Sequence, residues 1–241
     1  MSLIAISDLH INANTPERSA DFLRLLRQAA AAKDEVLIAG DLFDLWLGPA
    51  SLTFSYQGPI LEELQSLAAS GLQLHYVEGN RDFAVIASWA NKIFSSTATH
   101  SLTLNRNRWM LKAVHGDLIN RDDHLYRFWR GISKNRLSLF LLKNLPPRFV
   151  QKSSEKMERE LKPTNQKHKS YFPDKHVDAF LRESADHGYN IVVAGHFHVE
   201  KEIEIQSRGK TVLFYSLPGW EYGLRALVIP EDGERPYFRG Y

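Results

Sequence analysis

Five short apolar runs in this chain each end in a motif of glycine, aspartate, asparagine or histidine, and this repetition constrains the fold more than any other feature. The motifs are Asp8-Leu9-His10, Gly40-Asp41, Gly79-Asn80-Arg81-Asp82, His115-Gly116-Asp117 and Gly195-His196-Phe197-His198. A short apolar run bounded by turn residues is typical of a buried β-strand. In open α/β sheets, ligands bind beyond the carboxyl ends of the strands. We therefore expect side chains as far apart as positions 8 and 198 to meet in one place.

Helical segments separate these apolar runs. Residues 16–32 carry apolar side chains at helical spacing, and residues 59–70 form a second helical segment that Gly71 would end. Strands are predicted at 3–6, 35–39, 72–77, 109–114 and 191–194, and two late strands, 211–216 and 225–229, are expected to be antiparallel. The alternation predicts a layered α/β fold, and 241 residues suit one domain over 1–241.

Residues 123–170 interrupt the alternation and are interpreted as a helical lid inserted into that domain. The segment is basic and aromatic, rich in helix-forming residues and broken by Pro146-Pro147. Its lysines and arginines interleave with leucines and phenylalanines, a composition that can lie on an anionic membrane surface and admit acyl chains. Two alternatives stay open, namely a pair of ordinary surface helices and a helix whose apolar face closes on the core.

The composition limits the chemistry of any site. There is no cysteine, so any metal must be held by histidine, aspartate, glutamate or asparagine. The formal net charge of +2 gives no global field for nucleic acid. The first residues have neither the basic region nor the long apolar segment of a secretory signal, and no stretch reaches the ~18 apolar residues of a membrane span.

Imidazole and carboxylate groups together suit zinc, manganese or iron. Asp41 could bridge two ions through its two oxygens, Asn80 could bind through its amide oxygen, and Arg81 has the planar fork that suits phosphate. Two such ions polarise a phosphoryl group and activate a water for attack. Each motif alone is weak, because an Asp-x-His at a strand end is commonly structural and a Gly-Asp pair is commonly a turn. The ordered set of five is specific.

This set resembles the calcineurin-like metallophosphoesterase superfamily, over residues 3–117 and 190–225. The resemblance implies an α/β fold in which a β-sandwich is flanked by helices and holds two metal ions. By residue-wise transfer, one ion would be held by Asp8, His10, Asp41 and His198, and the other by Asp41, Asn80, His115 and His196.

A narrower resemblance, to the UDP-2,3-diacylglucosamine hydrolase family, rests on three stretches. They are residues 40–46, Gly79-Asn80-Arg81-Asp82-Phe83, and His115-Gly116-Asp117 followed by Asp122-Asp123. It implies manganese-dependent hydrolysis of the pyrophosphate of UDP-2,3-diacylglucosamine to UMP and 2,3-diacylglucosamine 1-phosphate in lipid A biosynthesis. It also implies a cytoplasmic protein, peripheral on the anionic inner face of the inner membrane. The implied catalytic residues are Asn80, Arg81 and His196, and the implied substrate contacts are Trp46, Asp123, Tyr126, Asn165 and Lys169.

Three other functions are weighed against this one. A phosphodiesterase or phosphatase acting on a soluble nucleotide or other phosphoester would need no apolar lid. A noncatalytic scaffold is disfavoured because every expected ligand is present. A nuclease is conceivable because Arg127 and Arg130 lie beside aromatic residues, but the basic residues cluster in the lid, so no nucleic-acid partner is expected. Those two arginines could equally be a solvated helix face.

Overall fold

A computed structural model describes residues 1–135 and 172–241 of the chain. Of the predicted lid at 123–170, residues 136–170 lie outside the described residues, so the lid stays a prediction.

The strands are short and alternate with helices along the chain. In order they are β1 (Leu3–Ile6), β2 (Glu35–Ile38), β3 (Trp46–Leu47), β4 (Leu74–Val77), β5 (Asp82–Phe83), β6 (Ser96–Ala98), β7 (Ser101–Arg106), β8 (Trp109–Val114), β9 (Ile191–Ala194), β10 (Lys201–Ser207), β11 (Lys210–Ser216), β12 (Arg225–Ile229) and β13 (Tyr237–Gly240). The α-helices are α1 (Pro16–Ala32), α2 (Gly58–Ala69), α3 (Val85–Ile93), α4 (His124–Ser133) and α5 (Asp174–Asp186), and short 3-10 turns span Ala50–Leu52 and Trp220–Tyr222.

Most of these strands belong to two sheets. One has the order β13-β12-β1-β2-β4-β6, the other β10-β11-β9-β8-β7, and β3 pairs with β5 separately. Strands β1, β2, β4 and β6 run parallel to one another, as do β8, β9 and β11 in the second sheet. All five motifs follow a strand from one of these two parallel sets.

The two sheets form a sandwich with helices on both outer faces. Because side chains alternate along a strand, those of β1 pack on both faces of its sheet. Leu3 and Ala5 join a buried cluster with Leu111 of the opposite sheet, whereas Ile4 and Ile6 join the cluster beneath α1, α2 and α3. Helix α5 covers the outer face of the second sheet. The α/β sandwich expected from the sequence is therefore confirmed.

The late strands only partly match the expectation of antiparallel pairing. Strand β12 is antiparallel to β1, as predicted, and β11 is antiparallel to β10. Strand β11 is, however, parallel to its other neighbour, β9. After β9 the chain forms β10, which makes an antiparallel hairpin with β11. Strand β11 therefore runs in the same direction as β9 and pairs beside it.

Candidate metal centre

The strand-end turns hold five of the candidate ligands in an unusual backbone conformation. Asp8, His10, Asp41, His196 and His198 all have φ between 47° and 72°, and they are five of the nine non-glycine residues with positive φ among those described. Non-glycine residues adopt the left-handed region infrequently, and such strain collects at functional sites. The turns bend sharply at each strand end, so the chain itself aims these side chains into the space between the two sheets.

The first group of potential ligands surrounds one carboxylate oxygen. Asp8 Oδ1 lies 3.3 Å from His198 Nε2 and 3.7 Å from His10 Nε2. The two imidazole rings stack, with centroids 5.2 Å apart. The other oxygen of Asp8 accepts from the Ser7 hydroxyl at 2.6 Å and from the His196 backbone N–H at 2.7 Å. Asp8 Oδ1 itself is buried and has no hydrogen-bond partner among the described residues.

Asp41 lies between this group and the next. Its Oδ2 is 3.9 Å from His10 Nε2 and 3.6 Å from His115 Nε2, while its Oδ1 accepts from the Arg81 backbone N–H at 2.8 Å. Asp8, Asp41 and His115 form a second group with ligand atoms within 4.8 Å of one another. Asp8 thus belongs to both groups, whereas the sequence assigned the bridging position to Asp41. Asp41 also reaches both groups, so its bridging role stays a prediction.

Asn80 joins the two histidines that the resemblance assigned to the second ion. Its Oδ1 lies 2.8 Å from His115 Nε2 and 3.2 Å from His196 Nδ1. His115 Nδ1 faces the carbonyl oxygen of Ala39 at 2.8 Å and so carries a proton. In a neutral His115, Nε2 would therefore present a lone pair to the Asn80 oxygen. A cation near these two atoms could be bound by both lone pairs.

The pKa values of the imidazole rings in the site differ from one another. Burial lowers the pKa of His10, but the neighbouring carboxylates of Asp44, Asp8 and Asp41 outweigh it and raise the pKa to about 10. Burial is likewise outweighed at His198, where Asp8 and Glu221 raise the pKa to about 9. Burial and the neighbouring His115 lower the pKa of His196 to about 4. The site therefore attracts positive charge most strongly around Asp8.

These donors fit divalent metal ions. Buried carboxylate and imidazole groups converge with an unpartnered carboxylate oxygen at their centre, and buried polar atoms normally have partners. Asp8, His10, Asp41 and His198 could hold one ion, and Asp41, Asn80, His115 and His196 a second. The ligand assignment remains the prediction made from the sequence.

Asp82 organises the site, a role that the sequence pattern does not predict. Asp82 Oδ2 accepts from the backbone N–H groups of Gly79 and Asp41, at 2.6 and 3.1 Å, and from the Tyr76 hydroxyl at 2.7 Å. It therefore ties two ligand-bearing turns together. Burial and the nearby Asp41 raise the pKa of Asp82 to about 6. Its place in Gly79-Asn80-Arg81-Asp82 was the only available signal.

The residues expected to contact the substrate lie in different parts of the structure. Trp46 is 0% exposed and packs against Phe43, Tyr76 and Trp89, so it is a core residue and not the expected substrate contact. Asp123 caps α4 by accepting from the Tyr126 backbone N–H at 2.9 Å. Asn165 and Lys169 lie outside the described residues.

Helix α4 is anchored beside the centre by buried charges. Asp117 accepts hydrogen bonds from the Tyr126 hydroxyl and from Arg130, and Arg130 also donates to the Thr99 carbonyl oxygen at 3.2 Å. Lys134 donates to the Gly79 carbonyl oxygen, next to Asn80. The reading of Arg130 as a solvated residue is therefore wrong, because its side chain is 6% exposed and paired with Asp117.

The fold and this geometry agree with a known family. A family model described as calcineurin-like phosphoesterase matches residues 1–200. The chain belongs to this family. It is a metal-dependent phosphoesterase. None of its described helices combines the length and the apolar character needed to cross a membrane.

Curated relatives match the chain over nearly its full length. A protein of Stutzerimonas stutzeri is 26% identical over 96% of both chains, and one of Pseudomonas fluorescens is 27% identical over 96% of this chain and 92% of the relative. Both are named UDP-2,3-diacylglucosamine hydrolase. The solved structure of an archaeal phosphodiesterase aligns over 100% of both chains with a TM-score of 0.48 and 11% identity, a likeness too low to bear on function.

Proposed function

We propose that this phosphoesterase hydrolyses the pyrophosphate bond of UDP-2,3-diacylglucosamine, giving UMP and 2,3-diacylglucosamine 1-phosphate for lipid A biosynthesis, with two manganese ions as cofactors. The observation that carries the proposal is the convergence of five strand-end motifs on one buried centre, in a chain that matches hydrolases of this name end to end. The broader alternative is a phosphodiesterase or phosphatase of a soluble phosphoester.

The chain's own residues divide the work around the bound substrate. The ions, when bound, supply Lewis-acid polarisation of the phosphoryl group and a water of lowered pKa. Arg81 is 9% exposed, and its backbone N–H is fixed on Asp41, so its side chain starts at the edge of the centre. We propose that its guanidinium stabilises the negative charge on the attacked phosphoryl group. A guanidinium has hydrogen-bond donors but no lone pair with which to bind a metal ion.

Asn80 and His196 have the remaining assigned roles. Asn80 Oδ1 lies 2.8 Å from His115 Nε2 and 3.2 Å from His196 Nδ1, so it could bind the same ion as these two rings. His196 has a lowered pKa of about 4, because it is buried beside His115, and is therefore neutral at physiological pH. A neutral ring can present a lone pair at one nitrogen while the other donates.

We further propose that the protein is peripheral on the cytoplasmic face of the inner membrane, where a diacylated substrate would be found. Support comes from α4, which exposes Leu125, Phe128 and Trp129 by 69%, 62% and 58%. They occupy positions i, i+3 and i+4, so they share one face of the helix. Apolar side chains with an exposed tryptophan suit the boundary between headgroups and acyl chains.

Product analysis tests the proposal. Purified protein is incubated with Mn²⁺ and UDP-2,3-diacylglucosamine in mixed micelles, and UMP is measured by chromatography. UDP-N-acetylglucosamine and bis(p-nitrophenyl) phosphate are the soluble comparators. We expect UMP from the lipid substrate at the highest kcat/KM. Faster turnover of either soluble compound would favour the alternative, and no hydrolysis of any substrate would refute both.

A further inference from the structure

Both histidines of the first ligand group have a carboxylate behind the ring. His198 Nδ1 lies 3.0 Å from Glu221 Oε1 and 3.1 Å from its Oε2, at hydrogen-bond distance, and His10 Nδ1 lies 3.3 Å from Asp44 Oδ1 in an ion-pair contact without hydrogen-bond geometry. In each ring the other nitrogen, Nε2, faces Asp8 Oδ1. Each ring therefore has a carboxylate on both sides.

The two histidines assigned to the second ion, His115 and His196, are placed differently. His115 Nδ1 faces the backbone carbonyl oxygen of Ala39, and His196 Nδ1 faces the side-chain amide of Asn80. The nearby carboxylate of Asp117 is already paired with Arg130. Behind the ring, His115 thus contacts a neutral oxygen atom and not a carboxylate.

The turn that carries Glu221 packs closely against the His198 ring. A Cβ atom on Gly219 would lie 2.3 Å from His198 Nδ1 and 2.4 Å from Glu221 Oε2, so only a glycine leaves room for this contact. The next residue, Trp220, donates its backbone N–H to the Asp8 carbonyl oxygen at 3.4 Å. The turn therefore contacts both the ring and the chain of the central carboxylate.

A carboxylate that accepts the distal N–H of a metal-bound histidine fixes its tautomer and orientation and makes the ligand more basic. We infer that Glu221 is a positioning residue for His198 and that, together with Asp44, it makes the Asp8–His10–His198 group the tighter of two unequal metal sites. The charges agree with this order. Asp8 and Asp41 lie within reach of both groups, so the difference comes from the carboxylates of Asp44 and Glu221 beside the first group and from the neutral oxygen of Asn80 in the second. The inference rests on the two-ion part of the proposed function and is independent of the substrate.

Manganese titration of chelator-treated protein tests this order. Binding is followed by calorimetry and by the electron paramagnetic resonance signal of free Mn²⁺, with no substrate present. The wild type is expected to bind two ions in two distinct steps. Glu221→Gln should weaken the tighter step by about 10–100-fold and leave the weaker step within about threefold. Asp44→Asn should act on the same step.

Two variants complete the design. Asn80→Ala should weaken the weaker step, because Asn80 is assigned to the second ion. Glu62→Gln makes the same change on an exposed residue of α2 and should leave both steps unchanged. Circular dichroism and thermal unfolding show whether each variant is folded, and if Glu221→Gln is not, Asp44→Asn carries the test.

The outcomes separate clearly. Selective loss of the tighter step in the Glu221 or Asp44 variant supports the inference. An unchanged titration, equal weakening of both steps, or loss of the tighter step in Asn80→Ala overturns it. Because these readouts need no substrate, the result stands apart from the success or failure of the product analysis.

Discussion

Replacing Gly79 with alanine should disable the centre without unfolding the chain. A Cβ atom at this position would lie 2.1 Å from Asp41 Oδ1, 2.6 Å from the Asp41 backbone nitrogen and 2.8 Å from Asp41 Cγ. Asp41 is 1% exposed, and its backbone N–H and the Gly79 N–H are both bound to Asp82. Neither turn can therefore move into solvent to make room.

The expected effect follows from these distances. The approach to Oδ1 is about 1 Å shorter than any real Cβ contact, so the Asp41 carboxylate must shift by about that amount. A displacement of about 1 Å in a catalytic site can cost on the order of 10²-fold in rate. Overpacking a well-packed region costs about 1–3 kcal/mol of unfolding free energy. We expect at least about a 10²-fold loss of kcat/KM, a loss of bound Mn²⁺, and a folded protein of reduced stability.

Gly58→Ala is the matched control. A Cβ atom on Gly58 meets nothing within 4 Å, and the residue opens α2, where alanine is the better helix former. Activity is measured by UMP release or by bis(p-nitrophenyl) phosphate hydrolysis, stability by urea unfolding, and metal content by elemental analysis. Wild-type activity in Gly79→Ala, or an equal loss in Gly58→Ala, would refute the packing argument.

Three further predictions address the ligands and their protonation. Asp41→Ala should reduce turnover by several orders of magnitude, because Asp41 reaches both ligand groups. The circular dichroism spectrum should be retained, and full activity would refute the two-ion mechanism. Arg81→Lys should cost about 10–10³-fold in rate with two ions still bound per chain, since lysine keeps the charge but loses the fork; loss of metal with activity would indicate a structural role. Because the pKa values of His10 and His198 are raised to about 10 and about 9, both rings are protonated in the metal-free chain at pH 7.5, so Mn²⁺ must displace protons. Apparent Mn²⁺ affinity should then rise with pH, and calorimetry in buffers of different ionisation enthalpy should detect released protons; a pH-independent affinity between pH 7 and 8.5 would contradict these shifts.

Local patterns in the sequence were enough to predict the strands that carry the site. Helix α1 was predicted at 16–32 and strand β9 at 191–194, and both have these bounds in the structure. Their apolar side chains recur at the helical or strand period, and the motifs begin where that pattern stops. The same logic missed β7 and β10. Both alternate between exposed and partly buried residues, and charged or polar side chains fill much of each strand, so no apolar run marks them.

The sequence by itself determined which residue types could form a metal centre, because histidine, aspartate and asparagine recur at the ends of apolar runs. Tertiary structure alone decided which residues support them. Glu221 follows a strand that carries no motif, and it meets His198 only because β11 returns beside β9. Trp46 and Asp44 stand in one motif, yet the tryptophan packs into the aromatic core while the aspartate lies against His10. Sequence proximity does not set which way a side chain points when a sharp turn separates neighbours, and here the packing of two sheets against each other sets it.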